Sequence, residues 1–130
     1  MVAAAAAPFL RFCLVGGLGF VIDAGALALL VYGLGADPMA ARALSFLVAA
    51  TATWATHRRF TFRVAARPSG LEWLRFVLAN GAGGLLNLGV YSALLLGAPP
   101  PLGLPLPAVV VASAVAVVFN YTASRRLVFR

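Results

Sequence analysis

Lysine is absent from these 130 residues, and acids are scarce: Asp23, Asp37 and Glu72 stand against ten arginines, for a net charge of +7. The three acids lie in separate regions, and the sequence shows no carboxylate pair with room for a substrate and no Ser–His–Asp set. Cys13 is the only cysteine, which excludes an intrachain disulfide, and His57 is the only histidine, which excludes a histidine- and cysteine-built metal cluster. Cys13 is expected to be a small side chain packed by lipid or a neighbouring helix. The "GGLG" at 16–19 follows no strand and lacks the full G-x-G-x-x-G spacing, so it is no dinucleotide loop. Neither cofactor nor metal is expected, and the residues offer no machinery for making or breaking bonds. The protein is therefore not expected to be an enzyme.

Polar surface is also scarce. Hydrophobic residues make up 63% of the chain and the mean hydropathy is +1.01, whereas about half apolar is usual for a soluble domain. The apolar residues fall in long blocks, which makes lipid the expected solvent. A sequence pI near 11.4 would suit a nucleic-acid binder. Yet there is no basic face or basic helix, and the arginines sit at the edges of apolar blocks, so no nucleic acid is expected.

Four blocks, at about 9–33, 38–57, 73–97 and 105–124, reach the length of roughly 20 residues that a helix needs to cross hydrocarbon. They lack strand alternation, and unpaired backbone cannot face lipid, so an all-α membrane protein of four transmembrane helices is expected. The opening "MVAAAAAP" has no basic n-region, and the block after Arg11 outruns a signal h-region, so this block is expected to be a retained helix. Asp37 and Pro38 suit the cap and first turn of the second helix. The proline-rich link "GAPPPLGLPLP" is expected to be extended. Arg11, Arg58, Arg59, Arg63, Arg67, Arg75, Arg125, Arg126 and Arg130 all fall on one side of the blocks, and only Arg42 falls near the other. The positive-inside rule then puts both termini and the middle link in the cytoplasm, with Phe60, Phe62, Trp73 and Phe129 as interfacial aromatics.

The chain repeats itself. "FLRFCLVGGLGFVIDAG" aligns without a gap on "WLRFVLANGAGGLLNLG", and "RRFTFR" on "RRLVFR". A single domain, 1–130, is thus read as two helical hairpins, about 9–63 and 73–130, related as parallel repeats. The alignment places Asp23 on Asn87.

Asp23 lies about 18 Å along a helix from Arg11, near mid-bilayer. A carboxylate there costs about 2.5–3.5 kcal/mol on insertion scales and is normally retained for function. The alternative is a neutral carboxyl that pins a neighbouring helix through Asn87 or Thr53. Asn80 and Asn87 share a helix face, and Asn120 opens "NYTASRR" near the arginine-bearing end of the fourth helix. These four residues, Asp23, Asn80, Asn87 and Asn120, are the candidate midplane polar site. The pairs Arg58–Arg59 and Arg125–Arg126 are candidates to fork onto a lipid phosphate, against a purely topological role. Arg42 lies a turn inside the far boundary, where it can snorkel, pair with Asp37 or receive a lipid phosphate. His57 is expected at the interface. The glycines around 16–19 and 81–84 are expected to let helices approach closely, within the fold or in a homodimer.

The two "LRF" openings with their glycines, the Asp23 position and the endings "THRRFTF" and "NYTASRRLVF" resemble the GtrA family over about Phe9 to Phe129. The resemblance implies a small four-helix protein of the bacterial inner membrane, working in cell-surface polysaccharide synthesis. It implies binding and flipping of a polyprenyl-phosphate-linked sugar, such as undecaprenyl-phosphate glucose. The family often has Asn where this chain has His57. Two other readings stand beside it: a membrane anchor and partner for a glycosyltransferase, without transport, and a proton-coupled small-molecule exporter using Asp23.

Overall fold

The computed structural model describes residues 2–129; Arg130, counted above among the topological arginines, lies outside the described residues. The chain forms four helices: α1 (Val2–Ala28), α2 (Pro38–Thr56), α3 (Gly70–Gly97) and α4 (Pro105–Ala123). Helix α1 starts well before the expected residue 9, because alanine is the strongest helix former and "VAAAAA" needs no apolar partner to be helical. Asp37 caps α2 by accepting a hydrogen bond from the Ala40 N–H at 3.0 Å, with Pro38 in the first turn, as expected. Ser69 caps α3 in the same way, accepting from the Glu72 N–H at 3.1 Å. The link after α3 is a compact turn and not the expected extended segment: Gly103 N–H bonds the Pro99 carbonyl at 3.2 Å and Leu104 N–H bonds Pro101 at 3.1 Å.

Three helices end in a π-helical turn: Leu29–Gly33 after α1, His57–Thr61 after α2 and Ser124–Val128 after α4. The first two close alike. Leu34 N–H bonds the Leu29 carbonyl and Ala36 N–H bonds Leu30; Phe62 N–H bonds His57 and Val64 N–H bonds Arg58. The residue between each pair of donors must turn left-handed. Gly35 does so at φ 67°, and Arg63 does so at φ 52°, where a side chain is strained.

α1 packs chiefly on α2 and α3 chiefly on α4, giving two antiparallel hairpins. The hairpins meet mainly through α2 on α3, while α1 touches α4 in few places. Each hairpin closes on a line of small buried residues spaced four apart: Ala41, Ser45 and Ala49 on α2, and Ala108, Ala112 and Ala116 on α4. Small side chains let backbones approach where lipid supplies no hydrophobic drive between helices.

Three helical segments are long and apolar enough to cross a membrane: Ala6–Gly33, Gly70–Gly97 and Pro105–Val128. α2 falls short of the apolarity expected for a fourth. Arg42, Ser45, Thr51, Thr53 and Thr56 lower it, and each makes hydrogen bonds within the protein. The three threonine hydroxyls donate to carbonyls one turn back, at Leu47, Ala49 and Ala52. The least apolar helix is thus an inner one, packed on α1 and on α3.

Candidate functional site

Because α1 and α4 barely touch, a cavity of about 370 Å³ opens between the hairpins. α1 lines it with Gly16, Gly17, Gly19 and Asp23, α2 with Ala49, Ala50 and Thr53, α3 with Asn80 and α4 with Asn120. Cys13, Gly16, Gly17 and Phe20 line the cavity and are themselves exposed, so it opens sideways along α1. Gly19 and Gly83 supply the close approaches. A Cβ at Gly19 would collide with Thr53, and one at Gly83 with the amide of Asn120. The glycines at 16, 17, 81 and 84 face open space instead and pack no helix of this fold.

The arginine-bearing end of the cavity is shut by an aromatic floor. Phe12 stacks on the His57 ring at 4.4 Å and meets Tyr121 edge-on at 5.5 Å, and Phe62 stacks on Phe129 at 4.9 Å. His57 is 2% exposed and its Nδ1 is 2.9 Å from the Thr61 hydroxyl. His57, Phe62 and Phe129 therefore lie inside the protein, not at the lipid interface as expected. The π turns account for this: the wider turn shifts the register of the helix end, directs His57 inward beside Phe12 and Phe76 and buries Ser124.

At the other end, Asp23 is not a lone carboxylate. Arg42 Nη1 donates to both of its oxygens at 2.6 Å and also to Ser45 Oγ at 3.3 Å. Arg42 thus reaches toward α1 from the second turn of α2. It neither snorkels outward nor pairs with Asp37, whose carboxylate caps the helix. Two charges that each cost several kcal/mol in lipid are offset by placing them together. Asn87, aligned with Asp23 in sequence, does not face it. Asn87 lies outside the cavity and its Nδ2 donates to Ser113 Oγ on α4 at 3.4 Å.

The arginine pairs are not equivalent within themselves. Arg58 is 6% exposed, and its guanidinium donates to the Glu72 carboxylate and, at 2.6 Å, to the Ala66 carbonyl. Glu72 also accepts from Trp54 Nε1 at 2.8 Å, so one acid ties α2, the middle link and α3 together. This binding of Arg58 leaves Arg59 as the exposed cation of the first pair. Arg59 lines a groove of about 480 Å³ with Trp54, Phe60 and Pro68. Arg125 and Arg126 are both exposed. Arg11 lies over the Phe60 ring, 5.6 Å from its centroid, and fixes the start of α1 to the end of α2.

The structure therefore brings Asp23, Asn80 and Asn120 into one cavity, with Arg42 behind Asp23, and places Asn87 and the arginine pairs outside it. Sequence reasoning missed Glu72, Ser45 and the aromatic floor. For Glu72 a signal was present, since "SGLE" at 69–72 is a capping-box pattern that marks the start of a helix. For the floor, the repeated "RF" at 11–12 and 75–76 was the signal, because Phe12 and Phe76 are both buried there. Among the described residues, no group of three or more His, Cys, Asp and Glu side chains could hold a metal ion. The family model described as GtrA/DPMS, transmembrane domain, matches residues 11–129. With its three apolar crossing segments and hairpin architecture, the chain belongs to this family of multi-pass membrane proteins.

Proposed function

We propose that the protein binds a polyprenyl-phosphate-linked sugar and moves its head group across the bacterial inner membrane during glycosylation or cell-surface polysaccharide synthesis. The observation that carries this reading is the side-opening cavity. A lipid-linked head needs a polar space with a lateral mouth, because its tail must stay in lipid while the head moves. The cavity has such a mouth at Cys13, Gly16, Gly17 and Phe20. Arg59 and Arg125, exposed at the ends of α2 and α4, are placed to hold a phosphate at headgroup level. Family membership supports the pathway.

In this reading α2 is a fourth crossing. Its 19 residues reach about 28 Å, close to the hydrocarbon thickness, and its serine and threonine hydroxyls are bonded within the protein. Both termini and the middle link are cytoplasmic, by the arginine asymmetry. The two hairpins act as parallel repeats. Supporting this, the small-residue lines on α2 and α4 and the Gly19–Thr53 and Gly83–Asn120 contacts occupy matching positions in the two halves. The ion pair of Asp23 with Arg42 weighs against an exporter that needs a free carboxylate in the first helix.

The test is reconstitution into sealed vesicles with labelled undecaprenyl-phosphate glucose, scoring exposure of the sugar on the far leaflet. Arg59→Ala with Arg125→Ala is expected to weaken binding of the lipid far more than Arg67→Ala, because hydrogen bonds to a charged group contribute about 1.5–3 kcal/mol each. Vesicles containing the protein but showing no transfer above empty vesicles would leave an anchor for a glycosyltransferase as the surviving reading.

A further inference from the structure

We infer that the cavity holds a neutral head group rich in hydrogen-bond donors through two carboxamide acceptors, Asn80 and Asn120, and leaves the phosphate outside. This inference rests on the lipid-linked-sugar reading above.

The first observation is an unsatisfied acceptor. Asn120 Oδ1 is buried and accepts no hydrogen bond. It is tucked against Gly83, which has room for it only because glycine has no Cβ. A buried polar oxygen without a donor is uncommon, and it gains when a donor arrives. The χ2 torsion of Asn is soft, so the amide can turn from Gly83 toward the cavity that Asn120 already lines. The second observation is Asn80, in the same cavity. Its Nδ2 donates to the Phe76 carbonyl at 3.1 Å, which leaves its oxygen as an acceptor toward the cavity. Of the other polar side chains there, Thr53 donates its hydroxyl to the carbonyls of its own helix at 2.9 and 3.1 Å, and His57, which also lines the cavity, has its Nδ1 on the Thr61 hydroxyl and its ring stacked on Phe12.

Charge decides what these acceptors receive. No arginine lines the cavity, and its one carboxylate, Asp23, is bonded to Arg42. An entering phosphate would meet two amide oxygens and a carboxylate whose guanidinium partner is already engaged, with no arginine in the lining to hold it. A hydroxylated ring meets acceptors for its O–H groups. The two amides also lie on the second hairpin alone, whereas the facing wall of α1 is glycine at 16, 17 and 19, between Phe12 and Cys13 at one end and Phe20 and Asp23 at the other. A sugar ring therefore sits with its hydroxyl edge on α3 and α4 and a C–H face on Gly16 and Gly17. The phosphate stays outside the cavity.

The experiment measures binding to the full chain in lipid nanodiscs with three probes: decaprenyl-phosphoryl glucose, its tetra-O-methyl ether and decaprenyl phosphate. The ether keeps the phosphate, tail and ring but has no O–H to donate. Wild-type protein is expected to bind the glucosyl lipid about tenfold more tightly than the ether, as two neutral hydrogen bonds allow. Asn80→Leu with Asn120→Leu is expected to abolish that preference and leave decaprenyl phosphate binding intact, which also reports that the variant is folded. Equal binding of the sugar and its ether by wild type overturns the inference. A preference that persists in the double variant overturns it too, since bulk alone then explains the difference. Failure of wild type to bind decaprenyl phosphate and the glucosyl lipid overturns the lipid-linked-sugar reading along with it, whereas phosphate binding without a hydroxyl-dependent gain overturns this inference alone.

Discussion

The Asp23–Arg42 pair gives the sharpest test of how this chain keeps charge in its apolar bundle. Removing Asp23 leaves a guanidinium inside the first hairpin. On insertion scales that costs up to about 2.5–3.5 kcal/mol, reduced because Arg42 is one turn from the end of α2 and can snorkel. About 2 kcal/mol is expected for Asp23→Ala. Arg42→Ala strands the deeper partner: Asp23 has 20% of its side chain exposed against 54% for Arg42. A carboxylate so covered sheds the cost by neutralising, so about 2 kcal/mol is again expected. The double variant has no charge to strand and loses only the van der Waals contacts, about 1 kcal/mol. The coupling energy is then roughly 3 kcal/mol, within the range seen for contacting residues. Reversible unfolding by SDS in mixed micelles, run on all four proteins, measures it. Single losses that add to the double within about 0.5 kcal/mol would refute the reasoning, because the pair would then contribute no mutual stabilisation.

Gly83→Ala should destabilise by about 1–3 kcal/mol, since its Cβ would collide with Asn120, whereas Gly16→Ala should be neutral or stabilising because nothing lies near it; the same unfolding assay separates the two. Arg63→Gly should stabilise by about 1 kcal/mol by relieving the left-handed backbone at φ 52°, and a loss in the same assay would show that the side chain outweighs the strain. Glu72→Ala should cost about 3 kcal/mol, because it leaves the buried Arg58 guanidinium and the Trp54 N–H without their acceptor, and the double variant with Arg58→Met should recover most of it. Cysteines introduced at Ser69 and Gly103 should label from opposite sides of the membrane; labelling of both from outside would remove the four-crossing topology.

What was legible in the sequence follows from local physics. Unbroken apolar blocks and the absence of strand alternation dictate helices in lipid, because no other structure satisfies the backbone there. Asp37 before Pro38 marks the start of α2, since a cap is made within four residues of chain. The alignment of "LRF" with "LRF" and of "RRFTFR" with "RRLVFR" placed the hairpins and the arginine-bearing end. These features depend on neighbours along the chain, so the order of residues suffices.

Only the tertiary structure decided which polar groups meet. Asp23 and Asn87 are aligned in sequence, yet one pairs with Arg42 and the other with Ser113. Arg58 and Arg59 are adjacent, yet Glu72, 14 residues away from the first, binds one and leaves the other exposed. His57 reads as an interfacial residue until a π turn carries it inward against Phe12. In each case the partner lies on another helix, and the pairing depends on the rotation and depth of both helices. Close packing at the small residues Ala41, Ser45 and Ala49 and at Ala108, Ala112 and Ala116 fixes which faces of the helices meet. Hydropathy and spacing fix how many helices there are and where they end, but they carry no term for the angle at which one helix faces the next.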